Sequence, residues 1–258
     1  MSRNQALATA VCCTYGRPQL LAESVQCFLD QDYVNRELII VNDDPLVPIR
    51  IDSNSLLISV INCSKRFSSL GEKRNFAVSL AQGEFVFVWD DDDLYTPWRM
   101  SSSIEYLSLN LQYDAVKASQ AVTSLDNSAF SIGSHGFHSQ ICIRRSAFDI
   151  ARYPVDVSCG EDYRLENELK MSVIDVGPFF WSVARWGLGI YHISGRGEDN
   201  QAENWAAAAE YVNSLGLADV VVKPGFSKPH WNLVDEALFL RLERKRYLAW
   251  HDAIEFYL

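Results

Sequence analysis

The fold is decided by one stretch of the chain, 71-GEKRNFAVSLAQGEFVFVWDDDDLYTPWRM-100. A helix is predicted over Leu70–Leu80, and Gly83 ends it. The run 84-EFVFVW-89 is apolar after its first residue, as in a parallel strand that is buried on both faces. Four adjacent carboxylates follow at once, 90-DDDD-93. The stretch therefore predicts a helix, a buried strand and an acidic loop at the end of that strand.

The same alternation of strand and helix runs upstream. Two apolar runs, Ala8–Cys13 and 37-ELIIV-41, predict strands, and apolar residues at helical spacing from Leu20 to Leu29 predict a helix between them. A third strand is predicted over Ser55–Ile61. Elements in this order predict an α/β fold with a right-handed, doubly wound and mostly parallel sheet.

Three loops follow strand ends in this sheet, 14-TYGRP-18, 42-NDDP-45 and 90-DDDD-93. Ligands of such sheets bind outside the carboxyl ends of the strands, so we expect these loops to converge on one rim. Adjacent carboxylates repel one another unless a cation or hydrogen-bond donors compensate, and hard oxygen ligands suit Mg²⁺ or Mn²⁺. The rim is therefore a candidate metal site. A solvated acidic loop, or helix capping by Asp92 or Asp93, is the alternative.

Composition and charge exclude other classes of protein. The 258 residues are 48% hydrophobic, which is enough for a sizeable core. No run approaches the roughly 18 apolar residues of a membrane span, and Ala6–Cys13 lacks the features of a signal peptide. A formal net charge of −10 disfavours nucleic acid as a partner. We expect a soluble, cytoplasmic protein.

Several common motifs are absent from the sequence. The six cysteines include no C-x-x-C pair, which argues against structural zinc and suits reduced, buried thiols. Neither G-x-x-x-x-G-K-[ST] nor G-x-G-x-x-G occurs. A nucleotidyltransferase, which usually carries a Gly-rich phosphate loop, is therefore less favoured.

The second half of the chain is less regular. Helices are predicted over Met100–Leu111 and after Gly160, strands over Ala115–Ser119, 140-QICIRR-145 and 188-LGIYHI-193, and a Gly/Ser/His loop over 131-SIGSHGFHS-139. Beyond residue 200, helical patterns dominate, at Trp205–Leu215 and Leu233–Tyr257.

The stretch 71–100 resembles the core of glycosyltransferase family 2, whose members have the GT-A fold. The resemblance is carried by Gly71, Arg74-Asn75, Ala81-Gln82-Gly83-Glu84 and the DXD-like run Asp90-Asp91-Asp92-Asp93. Two upstream blocks, 14-TYGR-17 and 38-LIIVNDD-44, are similar to the family's opening motif and second strand, with Gly16 in place of the usual Asn.

The resemblance implies one catalytic domain of the GT-A type with a Rossmann-like sheet. We place this domain at residues 1–200, with a nucleotide-sugar half at 1–100 and an acceptor half at 101–200. A helical C-terminal extension follows at 201–258. The segment 233–258 would pack on its own domain or on a second subunit, and docking on a membrane surface near a lipid-linked acceptor is the alternative.

The resemblance also implies which side chains bind the donor. Those that would contact the nucleotide sugar are Thr14, Tyr15, Arg17, Asp43, Arg74, Asn75, Asp90 and Asp91. Arg17 would supply charge to the diphosphate. Asp43 would accept a hydrogen bond from the base, which favours uracil, whereas plain turn chemistry before Pro45 is the alternative. Asp92 would bind Mn²⁺ or Mg²⁺.

Two signals in the second half resemble further family motifs. The Glu-Asp pair of 160-GEDYRL-165 resembles the motif that holds the catalytic base at a helix start, so Asp162 is the candidate base and Glu161 the second choice. First-turn acids that are stabilised by the helix dipole are the alternative. The segment 191-YHISGRGEDN-200 resembles the late His of many members, so His192 is the second candidate metal ligand. For His135 and His138, a structural role is favoured over contact with the acceptor.

Together these features predict an inverting, metal-dependent glycosyltransferase of the hexosyltransferase kind. It would move a sugar from a nucleotide-diphosphate sugar, with a UDP-sugar favoured, to a hydroxyl of an unidentified acceptor, either a glycan, a lipid-linked molecule or another compound. Three alternatives stay open: a nucleotidyltransferase on a similar sheet, a non-catalytic protein that binds sugar nucleotides or carbohydrates, and a transferase that acts on modified DNA bases. The acidic net charge disfavours the third.

Overall fold

The structure is a computed structural model that describes residues 5–124, 130–133, 136–157, 159–176, 181–185 and 220–225. Its strands are β1 (Ala8–Thr14), β2 (Arg36–Asn42), β3 (Ile49–Ile51), β4 (Ile58–Asn62), β5 (Phe85–Val88), β6 (Leu94–Tyr95), β7 (Ala115–Ala118), β8 (Ala121–Ser124), β9 (Phe130–Gly133), β10 (Cys142–Arg144), β11 (Met171–Ile174), β12 (Ser182–Arg185) and β13 (Val220–Val222). Its α-helices are α1 (Pro18–Leu29), α2 (Leu70–Leu80), α3 (Arg99–Leu109) and α4 (Glu161–Glu168), and two 3₁₀ helices span His138–Gln140 and Arg145–Asp149.

A seven-stranded sheet forms the centre of the fold, in the order β11-β7-β10-β5-β1-β2-β4. All neighbouring pairs are parallel except those of β10, which runs antiparallel to β5 and β7. Thr14 at the end of β1 is paired with Asn42 at the end of β2. The prediction of a mostly parallel α/β sheet is therefore confirmed, and the carboxyl ends of its first strands lie level at one edge.

The sheet is covered on both faces, which explains why its strands are apolar without alternation. On one face Ala10 and Cys12 belong to a cluster with residues of α1 and α3, including Phe28. On the other face Val11 belongs to a second cluster with α2 and Leu165 of α4. Successive residues of β1 therefore pack into two different hydrophobic cores, one on each face of the sheet, as in other doubly wound sheets.

The start of α2 is fixed by local chemistry and by a close approach. Ser69 caps the helix by accepting a hydrogen bond from the Glu72 N–H at 3.0 Å, and the Glu72 carboxylate accepts one from the Ser68 N–H at 2.8 Å. A Cβ at Gly71 would lie 2.1 Å from the Pro154 carbonyl oxygen, so only glycine lets the helix pack here. These contacts set the first turn of α2 against the rim of the sheet.

Part of the second half departs from the prediction. A second sheet has the order β6-β12-β8-β9, and its strand β9 occupies 130–133, where a loop is predicted. Pairing with β8 satisfies the backbone of this short segment, so tertiary contacts override its weak local preference. The strand predicted over 140–145 is shorter, at Cys142–Arg144, and lies between the two 3₁₀ helices. The six cysteines, all within described ranges, form no disulfide.

Most other predictions are confirmed within about two residues or fall on parts that the structure does not describe. The strand predicted over Ser55–Ile61 begins three residues later, at Ile58. The helices at 70–80 and after Gly160 are found where the sequence predicts them. The strand at 188–193, the helices at 205–215 and 233–257, and the boundary at 200 lie outside the described residues. Within the ranges that the structure describes, no helix is long and apolar enough to span a lipid bilayer.

Candidate active site

A cavity of about 370 Å³ opens at the carboxyl edge of the central sheet. One wall is formed by the loops that follow β1, β2 and β5 together with the first turn of α2. The opposite wall is formed by residues 137–139 and by the start of α4. The predicted site residues that line this cavity are Thr14, Tyr15, Arg17, Asp43, Arg74, Asp90, Asp92, Glu161 and Asp162.

Direct side-chain contacts join the three rim loops. The Thr14 hydroxyl donates to Asp91 Oδ2 at 2.5 Å, and Arg17 Nη1 donates to Asp92 Oδ2 at 2.6 Å. Lys73 Nζ donates both to the Thr14 carbonyl oxygen at 2.6 Å and to Asp43 Oδ1 at 2.5 Å. The loops after β1, β2 and β5 therefore meet on one rim, as the topology predicts.

Asp91 lies beneath this rim. Its side chain is fully buried, and it accepts hydrogen bonds from Thr14 and from Nε and Nη2 of Arg17. Burial raises the pKa of Asp91 to about 6, although the charge of Arg17 opposes the shift. Asp91 is not among the residues that line the cavity, so its position suits anchoring Thr14 and Arg17 better than contacting a nucleotide.

The guanidinium of Arg17 is held at the cavity wall by this anchor. Burial on its own lowers the pKa of Arg17, but the nearby charges of Asp91, Asp92 and Asp90 outweigh it and hold that pKa above its ordinary value. Arg17 therefore stays cationic over the whole physiological range, next to the most acidic part of the cavity.

The remaining carboxylates of the acidic run open onto the cavity. The side chain of Asp90 is 31% exposed, and its backbone is fixed by hydrogen bonds with Ser24 and Tyr95. Asp92 and Asp93 are more enclosed but also line the cavity. Within the described ranges, no three side chains of His, Cys, Asp or Glu are grouped as a complete metal site. These oxygens fit an ion such as Mg²⁺, which usually takes one or two carboxylates and completes its shell with waters and phosphates.

The far end of the cavity combines an aromatic ring with a buried ion pair. The guanidinium carbon of Arg66 lies 4.3 Å from the centre of the Tyr15 ring. Asp43 pairs with Lys73 through Oδ1 and accepts a hydrogen bond from the Phe67 N–H through Oδ2 at 3.1 Å. An aromatic ring beside charged side chains is a chemistry that suits a planar heterocycle.

Arg74 connects the rim to α4. Its Nη1 donates to Glu161 Oε1 at 2.7 Å, and its Nη2 lies 3.5 Å from Asp90 Oδ1. Burial lowers the pKa of Arg74, but Asp90, Tyr153 and Glu161 outweigh burial and raise it overall. Arg74 is therefore a permanent cation that faces the cavity and the second wall together.

The side chain of Asn75 is directed to the backbone of Tyr153 and not to the cavity. Its side-chain amide donates to the Tyr153 carbonyl oxygen at 2.8 Å, and its side-chain oxygen accepts from the Tyr153 N–H at 3.0 Å. Asn75 is not among the cavity-lining residues. Its amide thus holds the loop around Tyr153, and its predicted contact with the nucleotide has no counterpart in this geometry.

The two acidic residues at the start of α4 differ in their surroundings. Gly160 precedes the helix with a φ of 77°, a left-handed conformation that favours glycine. Glu161 is buried in its ion pair with Arg74. Asp162 is half-buried, lines the cavity and accepts a hydrogen bond from the Tyr163 N–H at 2.7 Å. Of the two, Asp162 is the one placed to receive a proton from a molecule in the cavity.

The family is settled by comparison with known proteins. The profile of glycosyl transferase family 2 matches residues 9–154, which is more than half of the 258-residue chain. The protein belongs to this family. The matched range covers the rim loops, α2, the acidic run and the segment 137–139, and it ends before α4.

Curated relatives of this family 2 protein match over little more than a third of the chain. The uncharacterized glycosyltransferase YwdF of Bacillus subtilis is 35% identical over 97 residues, which is 36% of this chain and 36% of YwdF. The putative colanic acid biosynthesis glycosyl transferase WcaA of Escherichia coli is 36% identical over 104 residues, 38% of this chain and 37% of WcaA. The chain thus spans little more than a third of the length of these relatives.

Solved structures show the same fold. S. aureus TarS 1–349 in complex with UDP-GlcNAc superposes with a TM-score of 0.53 at 14% identity, over 69% of this chain and 58% of that one. The mannosyltransferase PcManGT of Pyrobaculum calidifontis, in complex with GDP-Man and Mn²⁺, gives 0.52 at 14% identity over 92% and 71%. Both confirm that this family 2 protein has the GT-A fold.

Several residues of the family 2 site are not predicted from the sequence. Lys73 and Arg66 line the cavity, and Lys73 holds two of the rim loops together. Lys73 directly precedes the predicted Arg74 in the same helical turn, so the signal that identifies Arg74 could have included it. His138 lines the opposite wall. His192 lies outside the described residues.

Proposed function

We propose that this protein is an inverting, metal-dependent glycosyltransferase that transfers a sugar from a nucleotide-diphosphate sugar to a hydroxyl of an acceptor. One observation carries the proposal. A single cavity brings the cations and carboxylates of the rim, among them Arg17 and Asp92, together with Asp162 on the opposite wall. Such a cavity can hold a charged leaving group on one side and deprotonate a hydroxyl on the other.

The donor nucleotide would lie along the rim. Tyr15 offers a ring for stacking, and Asp43 keeps lone pairs that can accept the N3–H of uracil, which favours a UDP-sugar. Lys73 fixes Asp43 in place through their ion pair. Arg17 would neutralise part of the diphosphate charge. One structural neighbour holds UDP-GlcNAc and another holds GDP-Man, so the choice of base needs a direct test.

A divalent cation, Mn²⁺ or Mg²⁺, would sit among the acidic side chains. Asp92 is the proposed ligand, with Asp90 as the more open carboxylate beside it. A bound ion would stabilise the negative charge that develops on the leaving diphosphate. The presence of Mn²⁺ in PcManGT supports this choice of cofactor. His192 is the proposed second ligand.

Asp162 would act as the general base. In a single displacement, the acceptor oxygen forms a bond to the anomeric carbon, the bond from that carbon to the diphosphate oxygen breaks, and the acceptor proton passes to the Asp162 carboxylate. Attack on the face opposite the leaving group inverts the anomeric configuration. Glu161 is engaged by Arg74, which favours Asp162 over Glu161 in this role.

A ligand screen tests the donor half of this proposal. Thermal unfolding is followed with UDP, GDP, UDP-glucose, UDP-GlcNAc and GDP-mannose, each with Mn²⁺, with Mg²⁺ and with EDTA. A donor at about 100 times its Kd should stabilise the folded protein by about 2.7 kcal/mol, and chelation should remove the shift. The absence of any shift with every sugar nucleotide and both metals would refute the donor site.

A product assay then separates the proposed reaction from its alternatives. With the best sugar nucleotide and water as the acceptor, the protein should release a nucleoside diphosphate. A nucleotidyltransferase would instead release pyrophosphate from a nucleoside triphosphate and a sugar phosphate, so a parallel reaction supplies UTP or GTP with glucose 1-phosphate, N-acetylglucosamine 1-phosphate or mannose 1-phosphate. A protein that only binds sugar nucleotides would release neither. Release of pyrophosphate, or binding without any turnover, would overturn the assignment.

A further inference from the structure

The position of α4 is weakly determined by apolar packing. The helix has eight residues, EDYRLENE, of which only Glu161 and Leu165 are buried. Leu169, directly after the helix, packs in the same cluster as Leu165. So short and polar a helix is marginal alone, and its placement depends on tertiary contacts. The orientation of Asp162 in its first turn must therefore be set by polar contacts elsewhere on α4.

The first such contact lies beside Asp162. Glu161 and Arg74 form an ion pair at 2.7 Å, with side chains 8% and 9% exposed. Arg74 belongs to α2, whose first turn is fixed by the Ser69 cap. This pair ties the start of α4 to the helix that also carries Lys73 and faces the donor.

The second contact lies more than one turn further along. The two carboxylate oxygens of Glu166 meet different partners, Oε1 at 2.9 Å from His138 Nδ1 and Oε2 at 2.5 Å from Lys117 Nζ of β7. Burial raises the pKa of Glu166, but the hydrogen bonds and charges of His138 and Lys117 outweigh it and lower that pKa overall. Glu166 is thus an ionised anchor between α4 and the sheet.

The contacts close into a ring that includes α4, the helix that carries Asp162. A carboxylate can only accept, so His138 Nδ1 donates to Glu166, and His138 Nε2 shares a hydrogen bond with the Tyr153 hydroxyl at 2.8 Å. The guanidinium carbon of Arg74 lies 5.5 Å from the centre of the Tyr153 ring. The circuit therefore runs from Arg74 through α4 to Glu166, His138 and Tyr153, and back to Arg74.

We infer that Tyr153, His138 and Glu166 are positioning residues whose hydrogen-bonded line holds Asp162 in the geometry needed to deprotonate the acceptor. The inference rests on the proposed role of Asp162 as base. A buried polar network rarely adds more stability than apolar side chains of the same size would, but when it is fully satisfied it fixes one arrangement. Misplacing a catalytic group by about 1 Å can cost about a hundred-fold in rate, so such a fixed arrangement matters for turnover.

The test removes one hydroxyl. Tyr153→Phe keeps the ring, its packing and its contact with Arg74 but cuts the link to His138. Its matched control is Tyr106→Phe, which removes the hydrogen bond between Tyr106 and Ser172, made at 2.8 Å by residues of α3 and β11 away from the cavity. Turnover is measured as nucleoside diphosphate release, with water as the acceptor. The donor is whichever of UDP-glucose, UDP-GlcNAc and GDP-mannose gives the largest thermal shift.

We expect Tyr153→Phe to lower kcat by about ten-fold or more while the Kd for the donor stays within about two-fold of the parent value. Tyr106→Phe should leave both unchanged. Parental turnover in Tyr153→Phe would overturn the inference, and so would an equal loss in Tyr106→Phe, because the effect would then be one of general stability.

A double-mutant cycle tests whether the residues act as one line. His138→Gln and Tyr153→Phe should be strongly non-additive in kcat, because either change alone already breaks the line. Either change combined with Tyr106→Phe should be additive, and additivity of the first pair would also overturn the inference. The variant Asp162→Asn distinguishes an error in the proposed base from an error in the proposed positioning residues. If it keeps parental turnover, the proposed base is wrong; if it is inactive while Tyr153→Phe is normal, only the positioning line fails.

Discussion

Asp91 and Asp92 are adjacent in the chain, but their side chains differ in exposure to solvent. The Asp91 side chain is fully buried against Thr14 and Arg17, whereas that of Asp92 is 10% exposed and faces the cavity. Burial disfavours the ionised form of Asp91, and the positive charge of Arg17 partly offsets this effect. Within 90-DDDD-93, depth below the rim therefore decides which carboxylate can meet a ligand, and which one holds the loop.

The pH dependence of stability should reveal the buried carboxyl. The pKa of Asp91 is about 6 in the folded protein, above the ordinary value of 3.8. Between these two pH values the folded protein therefore binds a proton at Asp91 that the unfolded chain has released. The resulting stabilisation is complete below about pH 4 and is lost as the pH rises through 6. Relative to Asp91→Asn, the parent should thus lose up to about 3 kcal/mol of unfolding free energy between these values.

Urea unfolding of the parent and of Asp91→Asn at pH 4 and pH 7.5, both in EDTA, measures this change. EDTA is needed because a metal ion bound near Asp92 would shift the same titration. A difference between the two proteins that does not vary with pH would show that Asp91 has an ordinary pKa.

At the scale of elements, α2 directs three consecutive side chains to three places. Lys73 reaches the rim at Thr14, Arg74 reaches Glu161 of α4, and Asn75 holds the backbone of Tyr153. Successive residues of an α-helix differ by about 100° in direction, so such divergence is built into the geometry. The bounds of α2 are predicted correctly from the sequence, but the partners of its residues belong to segments far along the chain.

Asn75 gives a prediction at this scale. Asn75→Ala should lower the unfolding free energy by about 2 kcal/mol, because the N–H and C=O of the buried Tyr153 both lose their partner. The Kd for UDP should stay close to the parent value. Denaturant unfolding and calorimetric titration with UDP measure the two quantities.

The matched control is Asn35→Ala, whose side chain makes one exposed hydrogen bond to the Gln5 carbonyl oxygen and should cost little. If Asn75→Ala instead weakened UDP binding strongly with normal stability, the direct nucleotide contact predicted from the sequence would be right.

At the scale of the whole molecule, the parallel half of the fold and the start of α4 could be predicted from the sequence, whereas the short strands β6 and β9 could not. Strands β1, β2 and β5 are continuous apolar runs, and the rule that parallel strands end at one edge brings their loops together. In contrast, β6 and β9 have two and four residues, too few to show a period, and are defined by their cross-strand partners. The sequence favours a structural role for His138 but does not indicate its partners Glu166 and Tyr153, because these contacts arise only in the tertiary fold.

We propose that one cavity combines a donor site on the rim with a base on the opposite wall. Single-turnover release of nucleoside diphosphate from the selected sugar nucleotide, measured for Asp162→Asn alongside its donor Kd, tests this most directly. We expect a rate at least about a hundred-fold below that of the parent, with an unchanged Kd for the donor. A variant that turned over at the parental rate, or that lost donor binding altogether, would contradict it.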